Sequence, residues 1–376
     1  MSDHTSRPEV GASAALSGEA LGDRPGPTSV LMKVLSAALS GGLLVLLFAV
    51  IVPALGSLHG VWEAITSMSA LTFVVLLLAA LVIRVLLAAA YPPVIPGLSF
   101  IRSLIARESS SAVSNVVPGP SGTATQYVVL RSWGVSTERF AGATVSVSVL
   151  TDALVFAAPG LFFLVWVALG RPAEQGSEHV WLVGVISVVV AVVTVVIVGA
   201  VARSERWAGA LGRIGQRCAN PLRRLLGKEP VATWPERARE LRTSTLRLVR
   251  GNAGVLGGCI GGAYLLNGLL LVGCLWACGV EAALMPVSLG LVLYAIGRLL
   301  TIVPITPGAV GVAEVVYTAL YVAVLGEASQ DAVLAGVLVY RALTWGLPLV
   351  TGAVAYCAWR IMRYREIHEM AEAGRS

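Results

Sequence analysis

Thr301-Ile-Val-Pro-Ile-Thr-Pro-Gly-Ala-Val-Gly-Val-Ala-Glu314 interrupts a long apolar region with two prolines, two glycines and a carboxylate. Apolar sequence runs into it from Leu284 and out of it to Leu325. A helix cannot pass intact through Pro304 and Pro307, because each ring lacks an N–H and clashes with the preceding turn. Backbone groups freed inside a bilayer need partners, so a broken helix persists there only when buried in protein or facing a water-filled cavity. Two half-helices meeting at such a break form a device for holding a polar group at membrane depth.

The rest of the chain is apolar enough to supply that membrane setting. With 56% hydrophobic and 13% charged residues and a mean hydropathy of +0.82, the 376-residue chain does not have a soluble globular composition. Full crossings of roughly 20 residues or more are expected over 29–55, 65–90, 141–169, 180–202 and 251–278, with a sixth carrying Arg341 and ending near Arg360. Residues 1–28 are polar, hold Pro8, Pro25 and Pro27, and lack the basic start and short apolar core of a cleaved signal. They read as a disordered cytosolic tail, and 366–376 as a second cytosolic tail.

Charge sets the orientation. Arg203 to Arg250 holds eleven arginines and Lys228 against four glutamates, a net of +8 that exceeds the +6 of the whole chain. The positive-inside rule makes this loop (203–250) cytoplasmic. The connections Gly56–Glu63, Gly170–His179, Gly279–Ala283 and Gly326–Asp331 then fall outside, and both termini lie in the cytoplasm. Within the loop, Trp207, Leu211, Ile214, Cys218, Leu222 and Leu225 recur every three or four residues, a stripe suited to the headgroup layer, with Pro221 as a kink. A second short helix is expected to start at Pro235 and stop before Gly251. Topology-setting charge accounts for the loop, lipid sensing is the alternative, and nucleic acid is not expected as a partner.

Several chemistries find no support in the sequence. Cys218, Cys259, Cys274, Cys278 and Cys357 form no C-x-x-C pair, and His4, His59, His179 and His368 fall near ends or in loops. No metal and no cofactor is therefore expected. Gly257, Gly258, Gly261 and Gly262 give two small-xxx-small pairs, expected to let helices pack closely, not to hold a cofactor. No phosphate-binding nucleotide motif is present, which disfavours an ATP-driven pump.

A second broken stretch lies earlier, at Ser114-Asn-Val-Val-Pro-Gly-Pro-Ser-Gly-Thr-Ala-Thr-Gln126. Here Pro118, Gly119, Pro120 and Gly122 form the break, and Pro118 and Gly122 share the spacing of Pro304 and Gly308. Thr123 to Gln126 has the form of a capping box, and Thr306 is placed to cap a helix whose first residue is Pro307. Downstream, Asp152-Ala-Leu-Val-Phe-Ala-Ala-Pro159 parallels Arg341-Ala-Leu-Thr-Trp-Gly-Leu-Pro348. The two matches keep their order at separations of 186 and 189 residues. Charge places the Asp152 and Arg341 helices in opposite directions. The expected fold is an all-α polytopic membrane protein of about six crossings plus two re-entrant broken-helix hairpins, in an inverted repeat over about 65–170 and 284–362.

At Pro304-Ile-Thr-Pro-Gly-Ala-Val-Gly-Val-Ala-Glu314 the chain resembles the lysylphosphatidylglycerol synthase transmembrane family, the flippase-like membrane part of bacterial multiple-peptide-resistance factors. Pro307, Gly308, Gly311 and Glu314 match that family's signature, Ala309 replaces a usual glycine, and Arg298 and Arg341 are positions where such proteins tend to carry arginine. In the earlier motif Asn115, Pro118 and Gly122 match, while Thr123 and Gln126 stand where an acidic and a basic residue are common. The likeness covers roughly 30–365, within an expected flippase-like domain over 29–365, and the sequence runs only eleven residues past Arg365. It implies a stand-alone membrane domain without the aminoacyl-transferase domain of two-domain relatives. It also implies lipid translocation, or a helper role beside a separate lipid-modifying enzyme.

The charged residues at membrane depth are then candidates for a site. Translocon scales put roughly 3 kcal/mol on such a residue at a helix centre, so Arg298, Glu314, Arg341 and Asp152 are expected to face the protein interior. Arg298 and Arg341 suit a lipid phosphate, and the N–H groups of the helix after Pro307 suit the same anion. Glu314 is expected to pair with an arginine or to meet a cationic headgroup. Thr306, Gly308, Gly311, Asn115 and Gln126 complete the expected substrate site, and Arg84 is expected to snorkel to the cytoplasmic face. The expected activity is flipping or scrambling of an anionic phospholipid or lipid-linked headgroup in the cell membrane, with no catalysis. A membrane-embedded transferase using Glu314 or Asp152 as base, and an ion-coupled solute transporter, are the alternatives.

Overall fold

The structure, a computed structural model, describes residues 58–117, 119–169, 178–225, 233–302 and 306–373. The expected first crossing (29–55) and the two prolines Pro118 and Pro304 lie outside the described residues. Within them all regular structure is helical: α1 Leu58–Thr66, α2 Ala70–Ala89, α3 Phe100–Val116, α4 Ser121–Arg131, α5 Thr137–Ala168, α6 Glu178–Arg203, α7 Glu205–Leu225, α8 Trp234–Ala277, α9 Val287–Leu300, α10 Val312–Leu325, α11 Gln330–Arg341 and α12 Leu347–Ala373. The segment first read as an outside connection before the second crossing is helix α1.

Local chemistry sets many of the boundaries. Ser69, Ser99 and Ser136 each precede a helix, and each hydroxyl accepts the N–H three residues on, at Thr72, Arg102 and Arg139. Pro235 opens α8, but α8 does not end before Gly251. It continues through a kink at Asn252 (φ −133°, ψ 15°), whose side-chain amide donates to the Leu248 carbonyl at 3.0 Å. That bond serves a carbonyl next to the kink, and so the segment bends instead of stopping. Between α11 and α12 the chain relaxes into a π-helical turn, Ala342–Gly346. Pro348 follows it and has no N–H to return to Thr344, which explains why the regular ladder fails there.

Five helical stretches are long and apolar enough to cross a membrane: Ala70–Ala89, Thr137–Ala168, Trp181–Arg203, Trp234–Ala277 and Glu327–Glu366. The 44-residue α8 is the central strut, packing against α2, α5, α7, α9 and α11. Its Leu270, Leu271 and Leu275 join Leu289 and Leu293 of α9 and Leu334 of α11 in one fully buried core. A second core gathers Tyr91, Ile95, Leu130, Phe140, Leu256 and Ile260 around the other end of α2. By contrast, α6 leaves Leu182, Val185, Ile186, Val189, Val192 and Val196 exposed, an apolar surface suited to a lipid environment.

Two glycine-based expectations resolve differently. A Cβ at Gly257, Gly258 or Gly261 would meet no described atom within 4 Å, and one at Gly262 would make only an ordinary contact, 3.6 Å from Leu86 Cδ1 of α2, so among the described residues these glycines do not force a close helix approach. Close approach occurs elsewhere. A Cβ at Gly160 would lie 2.6 Å from the Ser187 carbonyl, which packs α5 on α6, and one at Gly352 would lie 2.6 Å from the Glu108 carbonyl, which packs α12 on α3. The basic stripe is present as α7, with Trp207, Leu211 and Ile214 exposed and Pro221 inside it. Its other side meets α8, where a Cβ at Gly212 would lie 2.7 Å from the Pro235 Cα.

Candidate functional site

The two breaks in the chain meet each other. α3 ends at Val116 and Val117 after it is in extended backbone (φ −107°, ψ 119°), the conformation favoured before a proline, and Gly119 has φ 84°. In the later break, Pro307–Ala309 forms a single 3-10 turn with Gly308 at φ 58° and Gly311 at φ 82°. A Cβ on Gly308 would sit 2.4 Å from the Trp345 ring and 3.4 Å from the Asn115 carbonyl. Asn115 in turn donates from Nδ2 to the Trp345 carbonyl at 2.9 Å, inside the π turn. Thus the first break, the second break and the irregular turn after Arg341 are tied at one point.

Arg341 fastens that point. Its Nε donates to Glu314 Oε1 at 2.8 Å, and its Nη2 donates to the Gly308 carbonyl at 2.6 Å. The Glu314 side chain is 2% exposed and that of Arg341 13%. One guanidinium therefore neutralises a buried carboxylate and also satisfies the carbonyl of the most constrained residue in the break.

Around this junction lies a cavity of about 450 Å³. Arg84, Arg298 and Arg341 line it, with Asn115, Thr306 and Tyr294 among the polar groups on its wall. Tyr317, Tyr340, Asn267, Thr301 and Thr344 add further hydroxyl and amide groups. Tyr264, Tyr294, Tyr317 and Tyr340 form a continuous run of ring contacts at 5.3, 6.3 and 6.0 Å, and all four lie within electrostatic reach of Arg298. Arg298 is an exposed residue of the cavity wall whose side chain makes no hydrogen bond or ion pair with any described residue.

Arg84 does not reach for the cytoplasmic face. Its Nε donates to Glu108 Oε2 at 2.6 Å, with the two side chains 12% and 7% exposed, and Thr351 also donates to that oxygen. The pair joins α2, α3 and α12 behind one wall of the cavity. A buried carboxylate within reach is a better partner than a distant interface, which explains the departure from snorkelling.

These features agree with the comparison to known families, in which the lysylphosphatidylglycerol synthase TM region matches residues 33–352. The chain belongs to that family. No curated protein matches it. The family is the membrane part of lysylphosphatidylglycerol synthases by its description, and this chain is accordingly a membrane protein with a lipid-related role.

The family's glycine-rich stretch can now be read residue by residue in this member. Ala309, standing where a glycine is usual, has φ 55° and is the one non-glycine with positive φ among the described residues. Thr306 lines the cavity but caps no helix, since its hydroxyl donates to the Val310 carbonyl at 2.8 Å. α10 starts at Val312, behind Gly311, and not at Pro307. The negative group in its first turn is Glu314 itself, so the N-terminal N–H groups expected to face a ligand already have a carboxylate beside them. The capping box at Thr123 to Gln126 is likewise absent: α4 starts two residues earlier, at Ser121 behind Pro120, with no side-chain cap.

Of the residues expected in the substrate site, Arg298, Thr306, Gly308, Arg341, Asn115 and the break residue Gly119 line the cavity. Glu314 stands behind Arg341, and Gly311 shapes the turn. Gln126 is buried in α4 away from the cavity wall. Asp152 is exposed on α5, within electrostatic reach of Arg298 but not paired with it. Gly122 serves packing, because a Cβ there would lie 2.7 Å from the Ser114 Cβ, and its carbonyl accepts from Ser110 at 2.8 Å. The tyrosines and the Arg84–Glu108 pair escaped the sequence reading. Their signal is positional: tyrosines belong at membrane interfaces, and these fall inside apolar runs.

Proposed function

We propose that this protein moves a phospholipid, or a lipid-linked polar headgroup, across the cell membrane through the cavity at the junction of its two helix breaks. The observation that carries the reading is that polar cavity with three arginines, bounded by apolar helices of membrane-crossing length. Arginine at membrane depth is costly unless it faces a partner or a wet cavity, and a cavity wall of arginine and tyrosine is suited to a headgroup phosphate. The headgroup occupies the cavity while the acyl chains stay in lipid. The two broken units, oppositely directed, act as the inner and outer gates, with the basic 203–250 region and both termini in the cytoplasm. A separate lipid-modifying enzyme is a natural source of the cargo.

The test is reconstitution into sealed vesicles carrying a headgroup-labelled phospholipid, with loss of inner-leaflet label to an impermeant quencher as the readout. Protein-dependent movement with no chemical change in the lipid supports the proposal. Chemical conversion of the lipid would assign a transferase, and uptake of a water-soluble solute without lipid movement would assign a solute transporter.

A further inference from the structure

Resting on the translocation reading, we infer that the cavity selects a phosphate-bearing headgroup of net negative charge, one with no amine to balance its phosphate. The inference comes from a mismatch between donors and acceptors on the cavity wall. Of its three guanidiniums, Arg341 is committed to Glu314 and Arg84 to Glu108. Arg298 has no such partner among the described residues. Beside it, Tyr294 and Tyr317 line the cavity and make no side-chain hydrogen bond with any described residue, and Arg84 Nη2 is a buried donor without a described acceptor.

The carboxylates lie elsewhere. Glu314 and Glu108 are buried behind their arginines, and neither lines the cavity. Asp152, a carboxylate in electrostatic reach of Arg298, forms no ion pair with it and does not line the cavity.

A headgroup entering the cavity therefore meets a guanidinium, that of Arg298, with no ion-pair partner among the described residues, and several spare donors. Phosphate oxygens accept from a guanidinium in two parallel bonds, and the tyrosine hydroxyls extend that set. An ammonium on the same headgroup would face Arg298 with no carboxylate on the cavity wall to receive it, and like charges brought together at membrane depth repel more strongly than in water. The same wall thus attracts an anionic headgroup and penalises an amine-bearing one, which is how specificity is built.

The experiment measures binding to the purified full chain in detergent by native mass spectrometry, using phosphatidylglycerol, phosphatidylethanolamine and the lysyl ester of phosphatidylglycerol in competition. Inorganic phosphate is run in parallel as a thermal-shift ligand. Phosphatidylglycerol is expected to bind about tenfold or more tighter than either amine-bearing lipid, the factor that corresponds to about 1.4 kcal/mol. Arg298→Gln should erase that preference, and Arg298→Lys should retain most of it. Because Arg298 has no described partner, both variants should stay folded, which the thermal midpoint checks. Equal binding of the three lipids, tighter binding of the lysyl ester, or an undiminished preference in Arg298→Gln would overturn the inference. A response to inorganic phosphate with none to any lipid would overturn it as a lipid site and assign the same groups to a soluble phosphate. Anionic preference in binding without transport in vesicles would uphold the selectivity and sink the translocation reading, so the two can fail separately.

Discussion

Replacing Arg341 by glutamine should be far more damaging than replacing its partner Glu314, although each change breaks the same bond. Arg341 sits between a carboxylate that is 2% exposed and the Gly308 carbonyl. Its removal strands Glu314, whose other oxygen, Oε2, already has no described partner. Cutting one side of a buried ion pair costs about 3–5 kcal/mol. A charge-assisted bond to the Gly308 carbonyl adds about 1.5–3 kcal/mol. Glu314→Gln, in contrast, leaves a guanidinium that still reaches the cavity and its water, so a loss of about 1–2 kcal/mol is expected. The double variant, neutral on both sides, should recover about 2 kcal/mol or more relative to Arg341→Gln. Unfolding in mixed detergent micelles measures all four proteins. Equal losses in the two single variants, or no recovery in the double, would refute the reasoning.

Two further expectations concern the break itself, and a third the orientation. Gly308→Ala should destabilise by about 1–3 kcal/mol, through left-handed strain and collision with Trp345, and should abolish lipid movement; wild-type behaviour would contradict the packing at this junction. Ala309→Gly should stabilise by about 0.5–1 kcal/mol, the strain released at φ 55° outweighing the added chain entropy, and a lower unfolding midpoint would count against that backbone. A cysteine at Ala328, exposed in the turn between α10 and α11, should react with an impermeant thiol reagent added outside intact cells. Reaction only after the membrane is opened would reverse the proposed orientation.

What the sequence alone determined was the kind of molecule and the place to look. Composition excluded a soluble fold, and the long apolar stretches anticipated the helices of membrane-crossing length. Proline and glycine located both breaks, because the loss of an N–H and the need for positive φ are local properties, independent of partners. Arg298, Arg341, Thr306, Gly308 and Asn115 were legible for the same reason, as polar or special residues where apolar ones are cheaper. Tertiary structure decided which charge met which. Arg84 turned inward because Glu108, twenty-four residues on, comes within 2.6 Å of it, and Glu314 was withdrawn from the cavity by Arg341. The caps assigned to Thr123 and Thr306 failed because a helix start depends on where the preceding chain can go, and the prolines and left-handed residues moved both starts. The ring of tyrosines has no sequence spacing at all. Its members come from α8, α9, α10 and α11, and only helix packing brings four phenols around one arginine.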